Sequence, residues 1–147
     1  MPVKEISRRT LIKISLGLPG LMGLGVLFKY LGYQPSPARQ TRFILKPPTE
    51  YPRNSTISIE EARAWLVHDE AGMYAVSAIC THLGCVVNYI EPQFKCPCHG
   101  SRYDRSGLVV NGPAAQPLGH VELTLSADGL IVLDTSKIVP IDQRLTV

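Results

Sequence analysis

"CTHLGC" at residues 80–85 and "CPCHGS" at residues 96–101 hold all four cysteines and two of the four histidines of a 147-residue chain. We call these stretches box 1 and box 2. The other two histidines, His68 and His120, lie outside them and are interpreted as ordinary surface or core residues. Because thiolates and imidazoles are good ligands for soft and borderline metals, the boxes predict a metal centre.

The spacing of the boxes excludes two common cysteine sites. A redox-active dithiol needs Cys-x-x-Cys, and a c-type haem site needs Cys-x-x-Cys-His. Neither pattern occurs in the chain. A structural zinc site made of two cysteines and two histidines remains an alternative, although it leaves two cysteines without a role.

The two boxes resemble those of the Rieske iron-sulfur proteins at all twelve positions, and the chain from about Trp65 to Asp134 is also similar to that family. The resemblance implies one [2Fe-2S] cluster with two thiolate and two imidazole ligands. The implied ligands are Cys80 and Cys96 on one iron and His82 and His99 on the other. Because imidazole is neutral, this ligand set raises the reduction potential above that of an all-thiolate cluster.

Cys85 and Cys98 are left over once the ligands are assigned. In the quinol-oxidising branch of the Rieske family the matching cysteines form a disulfide that joins the two boxes. Soluble Rieske ferredoxins and the Rieske domains of ring oxygenases generally lack this pair. The resemblance therefore implies a Cys85–Cys98 disulfide, which suits an exported domain.

Four further features match the family pattern around the cluster. Ser101 and Tyr103 match hydroxyl residues that donate hydrogen bonds to a bridging sulfide and to a ligand cysteine, which raises the potential. Leu83 would shield the cluster next to its histidines. "NGPAAQPL" at 111–118 resembles the proline-rich loop that covers the cluster, with Ala115 where mitochondrial-type members carry a second proline.

The N-terminal segment predicts a membrane anchor. "SRRTLIK" at 7–13 resembles a twin-arginine export signal, and the apolar stretch from Leu11 to Tyr33 is long enough to cross a hydrocarbon core of about 30 Å. We expect the helix to be retained, with its N-terminus in the cytoplasm by the positive-inside rule. "SPA" at 36–38 is a candidate cleavage site that would remove it.

The chain is therefore predicted to have three parts: a signal and anchor at 1–33, a proline-containing hinge linker at 34–42 and a Rieske domain at 43–147. Residues 1–42 carry seven Lys/Arg and one acidic residue, whereas the remainder carries eight basic and eleven acidic residues. Because the folded part is mildly acidic, we expect no nucleic-acid partner.

The predicted domain is all-β. "AWLVH" (64–68) and "MYAVSAI" (73–79) flank the turn residues "DEAG", and further strands are predicted at 108–110, 120–125 and 130–134. A short helical turn is predicted at 59–64, where Ser58 and Glu61 form a capping-box pattern. The expected fold is a Rieske-like antiparallel β sandwich with an inserted cluster-binding subdomain, preceded by one transmembrane helix.

The function implied is that of a Rieske electron-transfer subunit in a cytochrome bc-type complex of the bacterial cytoplasmic membrane, with the head on the periplasmic or outer face. The partners implied are quinol, a cytochrome b-type membrane subunit and a c-type cytochrome or equivalent acceptor. His82 and His99 would be the catalytic residues that receive the quinol proton, and the isolated chain would catalyse nothing alone. The alternative is the small Rieske subunit of a periplasmic oxidoreductase such as arsenite oxidase.

Overall fold

The computed structural model describes residues 7–32 and 39–146 of the chain. The predicted cleavage site at 36–38 and most of the predicted linker at 34–42 lie outside the described residues. The chain divides into two compact units, with the boundary between Arg39 and Gln40. Each unit is described by itself, and we call residues 40–146 the head domain.

The N-terminal unit contains one long helix among its described residues, α1 (Arg8–Leu31). Ser7 caps this helix, because its Oγ accepts a hydrogen bond from the backbone N–H of Thr10 at 3.3 Å. Pro19 lies inside the helix. At about 1.5 Å per residue the helix is long enough to cross a membrane, and it is apolar enough to do so, a property that a signal sequence shares.

The head domain is built from antiparallel strands. In chain order these are β1 (Arg42–Ile44), β2 (Ser55–Ile59), β3 (Ala64–Asp69), β4 (Gly72–Ser77), β5 (Asn88–Ile90), β6 (Gln93–Lys95), β7 (Arg102–Tyr103), β8 (Val109–Asn111), β9 (His120–Leu125) and β10 (Ile131–Val139). Between β1 and β2 there is one 3-10 turn, Pro48–Glu50.

The strands form two sheets. The larger sheet has six strands in the order β1-β10-β9-β4-β3-β2, and the smaller sheet has four in the order β5-β6-β7-β8. All four strands of the smaller sheet come between β4 and β9 in the chain, so the smaller sheet is an insertion into the larger one. The predicted all-β Rieske-like fold with an inserted subdomain is confirmed.

The hairpin of β3 and β4 forms because its turn residues satisfy their own backbone. Asp69 Oδ1 accepts hydrogen bonds from the backbone N–H groups of Ala71 at 2.9 Å and Gly72 at 3.0 Å. β3 and β4 then pair without a register shift. The predicted hairpin is confirmed, with strand ends within two residues of the expected ones.

Strands β3 and β4 are buried on both faces. Leu66 and Ala75 pack into the core of the larger sheet. Val67, Tyr74 and Val76 face the opposite way and pack with the buried side chains of the smaller sheet. Because successive side chains of a strand alternate between faces, this one hairpin joins the two sheets.

The predicted helical turn at 59–64 is confirmed only in part: the N–H groups of Ala62 and Arg63 donate to the carbonyls of Ile59 and Glu60 at 3.1 and 3.0 Å, but the flanking residues belong to strands. Ser58 and Ile59 belong to β2, where they pair with Trp65 and Ala64 of β3. The residues between the two strands form a tight turn in which Arg63 has a φ of 47°. The capping-box pattern was outweighed by strand pairing, which buries Ala64 and holds five consecutive residue pairs.

Candidate metal centre

Box 1 folds into a closed loop directly after β4. The backbone N–H of Cys80 donates to the carbonyl of Cys85 at 2.8 Å, and the N–H of Gly84 donates back to the carbonyl of Cys80 at 2.9 Å. Gly84 has a φ of 79°, a left-handed conformation that glycine adopts without strain.

Box 2 repeats the same loop between β6 and β7. The N–H of Cys96 donates to the carbonyl of Ser101 at 2.8 Å, and the N–H of Gly100 donates to the carbonyl of Cys96 at 3.2 Å. Gly100 has a φ of 74°, close to that of its counterpart in box 1. The left-handed backbone conformation therefore explains why the fifth residue of each box is glycine, independently of any ligand.

A disulfide between Cys85 and Cys98 joins the two loops, with the Cα atoms 6.6 Å apart. The sulfur of Cys96 lies within 4.8 Å of both sulfurs of this bond. These three sulfurs are close enough to hold a metal, but two of them are already bonded to each other. The disulfide therefore removes this trio as a metal site.

The two remaining thiols, Cys80 and Cys96, are free and buried, and both belong to the apolar core beneath the boxes. The hydroxyl of Tyr103 lies 3.2 Å from Cys80 Sγ. Burial acts to raise the pKa of the Cys80 thiol, but hydrogen bonds, first that of Tyr103, outweigh it and lower the pKa. Burial and then the same contact raise the pKa of Tyr103. The contact therefore shifts the Cys80 thiol toward its deprotonated form and the Tyr103 phenol toward its protonated form.

The two imidazoles lie together as well. The rings of His82 and His99 are edge to face, with their centroids 4.9 Å apart. His99 is exposed, whereas Nδ1 of His82 is buried and has no hydrogen-bond partner among the described residues. Leu83, next to His82, is 69% exposed. The boxes thus bury their thiols and present imidazoles and an apolar side chain at the surface.

Thr81 is a site residue that the sequence interpretation missed. Its Oγ1 lies 3.1 Å from the hydroxyl of Tyr103, and its backbone N–H donates to that hydroxyl at 3.2 Å. Its Oγ1 also donates to the carbonyl of Gln116 at 2.6 Å. Thr81 therefore links box 1 to Tyr103 and to the loop at 111–118. Its position between Cys80 and His82 was the one available signal.

The loop at 111–118 lies directly against box 2. The N–H of Ala114 donates to Oγ of Ser101 at 3.2 Å. Gly112 has a φ of 101°, and a Cβ built on it would lie 2.5 Å from Cα of Ser101. The two backbones approach so closely that only glycine fits, and the loop covers the box as the resemblance implies. We call residues 111–118 the cover loop.

Trp65 supports box 1 from the larger sheet and was likewise not predicted as a site residue. Its Nε1 donates to the carbonyl of Val87 at 3.2 Å, and its ring packs on Tyr89 and Phe94 at centroid distances of 6.1 and 5.8 Å. The chain leaving box 1 is held in place by this contact.

The arrangement fits a metal centre with two sulfur and two nitrogen ligands. Two buried thiols have no disulfide partner, and one of two neighbouring imidazoles has a buried nitrogen without a hydrogen bond. A buried polar atom without a partner is costly, and a bound metal ion would satisfy the imidazole nitrogen. The donor set is that of a Rieske-type cluster.

Comparison with known sequences gives a family match to this region. The model of the family described as "Rieske [2Fe-2S] domain" matches residues 42–127. The cytochrome b6-f complex iron-sulfur subunit of Chlorobaculum thiosulfatiphilum is 30% identical over 133 residues, which cover 85% of this chain and 74% of that protein. The subunit of the same name from Synechococcus elongatus is 58% identical over 57 residues, but the match covers 36% of this chain and 32% of that protein.

Two solved structures are also similar. A chain of a hyperthermophilic respiratory Complex III shares 26% identity at a TM-score of 0.48, covering 81% of this chain and 98% of that one. A cyanobacterial plasma membrane Rieske protein from Synechocystis shares 29% identity at a TM-score of 0.43, covering 54% of this chain and 83% of that one.

Proposed function

The chain belongs to the Rieske [2Fe-2S] domain family, and we propose that it is the iron-sulfur electron-transfer subunit of a membrane-bound, quinol-oxidising complex of the cytochrome b6-f or bc type. One observation carries this proposal. The similarity to the Chlorobaculum b6-f subunit covers 85% of the chain, so it includes part of residues 1–42, outside the Rieske domain match. The match to the Synechococcus subunit spans only about a third of that protein's length. The activity of the whole complex is therefore proposed for this chain and is not taken from the match.

The N-terminal unit supports a topology for the proposed subunit. Arg8, Arg9 and Lys13 lie in the first two turns of helix α1, and positive charge at the start of a spanning helix favours a cytoplasmic N-terminus. The head domain then lies on the periplasmic or outer face of the membrane. The Cys85–Cys98 bond supports this side, because disulfides persist outside the cytoplasm. The Arg8-Arg9 pair would serve as the twin-arginine export signal.

The proposed ligands are the four residues of the sequence interpretation. Cys80 and Cys96 would hold one iron as thiolates, and His82 and His99 would hold the other through imidazole nitrogen. The buried Nδ1 of His82 is the nitrogen that has no other partner. When bound, the [2Fe-2S] cluster takes up and releases one electron.

The chain's own residues position the quinol and handle its proton. The free ring nitrogen of an imidazole at the surface accepts the hydrogen bond of a quinol hydroxyl and then its proton. His99 and Leu83 are exposed, so they form the polar and apolar parts of that docking surface. Tyr103 and Ser101 would donate hydrogen bonds to a ligand sulfur and to a sulfide of the bound cluster, which would favour its more negative, reduced state.

The partner that leaves the membrane with this chain tests the proposal. The full-length chain, tagged at its C-terminus and extracted in mild detergent, should bring down a subunit with a b-type haem spectrum. The preparation should reduce a c-type cytochrome with quinol as donor, whereas the isolated chain should not. A large molybdenum subunit in place of the b-type cytochrome would overturn the proposal in favour of an arsenite-oxidase-type complex.

A further inference from the structure

Side chains of the larger sheet hold the turn at residues 104–108 in place. It joins β7, which contains Tyr103, to β8, and we call it the docking turn. Oδ1 of Asp104 accepts hydrogen bonds from Ser106 Oγ at 2.6 Å and from the N–H of Leu108 at 2.9 Å. The turn is therefore a rigid unit in its own right.

Three side-chain contacts fix the docking turn to the larger sheet. The hydroxyl of Tyr74 donates to the carbonyl of Arg105 at 3.0 Å. Nε2 of His120 lies 2.8 Å from the carbonyl of Ser106 and must donate to it, since a carbonyl only accepts. The guanidinium of Arg105 donates to the carbonyl of Ser55 at 3.2 Å. These contacts reach β4, β9 and β2.

Tyr74 and His120 are themselves held in a stack. Their rings are parallel within 4°, with centroids 5.2 Å apart. The guanidinium of Arg144 lies 3.9 Å from the centroid of the Tyr74 ring and also reaches Asp69 at 3.5 Å. Arg144, which follows β10, thus packs on Tyr74 of β4, and Tyr74 packs on His120 of β9. Both rings of this stack are hydrogen-bonded to the docking turn.

The docking turn is connected to two groups that contact the metal centre, the Tyr103 hydroxyl and the cover loop. Tyr103 precedes it immediately and contacts Cys80 through its hydroxyl. The carbonyl of Gly107 accepts a hydrogen bond from the N–H of Leu118, the last residue of the cover loop, at 2.8 Å. A shift of the turn would therefore move the hydroxyl at Cys80 and the end of the cover loop together.

We propose that Tyr74 and His120 are positioning residues of the metal centre, which act through the docking turn to keep the Tyr103 hydroxyl at Cys80. Among the described residues, the side chains of Tyr74 and His120 form their hydrogen bonds with the docking turn and not with a predicted ligand. The inference requires that the chain bind a [2Fe-2S] cluster, but it does not depend on which complex the chain belongs to. Because a hydrogen bond to a cysteine ligand favours the reduced cluster, losing either positioning residue lowers the midpoint potential.

His68 provides a matched control for His120. Both histidines are buried on strands of the larger sheet, and each bonds a backbone carbonyl, that of Tyr51 at 2.9 Å in the case of His68. Tyr51, however, does not lead to either box. His68→Phe and His120→Phe should both lower the melting temperature, but only His120→Phe should lower the potential. His120→Gln, whose amide N–H can replace the Nε2 donor, should restore most of it.

The experiment is a redox titration of full-length, cluster-loaded protein in detergent, followed by electron paramagnetic resonance of the reduced form. Tyr74→Phe removes one oxygen atom and keeps the stack, so it guards against misfolding of the histidine variant. It should lower the potential in the wild-type background and have no further effect in a Tyr103→Phe background. Amide hydrogen exchange of a peptide covering 104–118 should be faster in Tyr74→Phe and His120→Phe and unchanged in His68→Phe.

An unchanged potential in both Tyr74→Phe and His120→Phe, or an equal fall in His68→Phe, would overturn the inference. So would additive effects of Tyr74→Phe and Tyr103→Phe. None of these results depends on a partner subunit, so a failed pull-down would count against the proposed function alone.

Discussion

Strands of the larger sheet run for five to nine residues, apart from β1, whereas those of the smaller sheet run for two or three. The larger sheet therefore holds itself together by ladder pairing and its own apolar core. The smaller sheet carries both boxes and, besides the apolar core that it shares with β3 and β4, is held by a disulfide, by hydroxyl contacts at Thr81 and Tyr103, and by the docking turn. The difference teaches that the smaller sheet, which holds the proposed metal centre, compensates for its short strand pairing with a disulfide and side-chain hydrogen bonds.

The largest effect expected from this comparison is that of a ligand substitution. Cys96→Ser should abolish the electron paramagnetic resonance signal of the reduced cluster, because it removes one of two buried free thiols. The larger sheet should keep its far-ultraviolet circular dichroism, since its core lies elsewhere. A variant that kept a full Rieske signal would contradict the ligand assignment, and loss of all β structure would contradict the independence of the larger sheet.

A cavity in the shared hairpin should destabilise both sheets. Leu66 is 1% exposed in the core of the larger sheet, and Leu66→Ala should cost about 2–5 kcal/mol of unfolding free energy. Urea denaturation followed by circular dichroism and by cluster absorbance should show both signals lost together, because β3 contributes to both cores. Ile44→Ala, at a site 73% exposed, should change stability by less than about 0.5 kcal/mol. Two separate transitions in Leu66→Ala would contradict the shared role of the hairpin.

Removing the disulfide should destabilise the smaller sheet more than the larger one. Cys85 and Cys98 are 13 residues apart in sequence, and closing a loop of this size is worth about 3 kcal/mol. In the double variant Cys85→Ser/Cys98→Ser the temperature of cluster loss should fall by more than that of the circular dichroism transition, because the larger sheet also has a core of its own. Equal shifts of both transitions would show that the two sheets are not stabilised separately.

The smallest effect expected is that of a single hydroxyl at the centre. Ser101 is fully buried, and Ser101→Ala should lower the midpoint potential by a few tens of millivolts, since one hydrogen bond contributes about 0.5–1.5 kcal/mol. Ser126→Ala is the control, because Ser126 also accepts a backbone N–H, that of Leu130 at 3.1 Å, but lies in the turn between β9 and β10. A redox titration should show a shift in the first variant and none in the second.

The same comparison explains what the sequence could predict. β9 is long enough to show alternation, β3 and β4 are apolar runs of strand length, and Asp69 and Gly72 mark the hairpin turn, so these strands were predicted. Strands β5 to β7 are too short to show any period. β2 was missed because Ser58 and Glu61 match a helix start locally, and only pairing with β3 overrides that preference.

The site divides in the same way. The proposed ligands and the disulfide cysteines stand within two short boxes, where the resemblance to the Rieske family implies their roles. The contacts that hold the boxes in place join distant residues: Tyr74 meets Arg105 31 positions along the chain, and Thr81 meets Gln116 after 35. No local pattern encodes such pairs, so Tyr74 and His120 could be assigned a role only from the fold.

The close approach at Gly112 determines where the cover loop can vary. In a library that randomises residues 111–118, position 112 should accept only glycine, because even a methyl group would collide with the backbone of Ser101. The exposed side chains of Ala115 and Gln116 should tolerate most substitutions. Sequence variation in the cover loop is then confined to its exposed positions. A chain that still assembles the metal centre keeps the contact between Gly112 and Ser101, whatever residues it carries at those exposed positions.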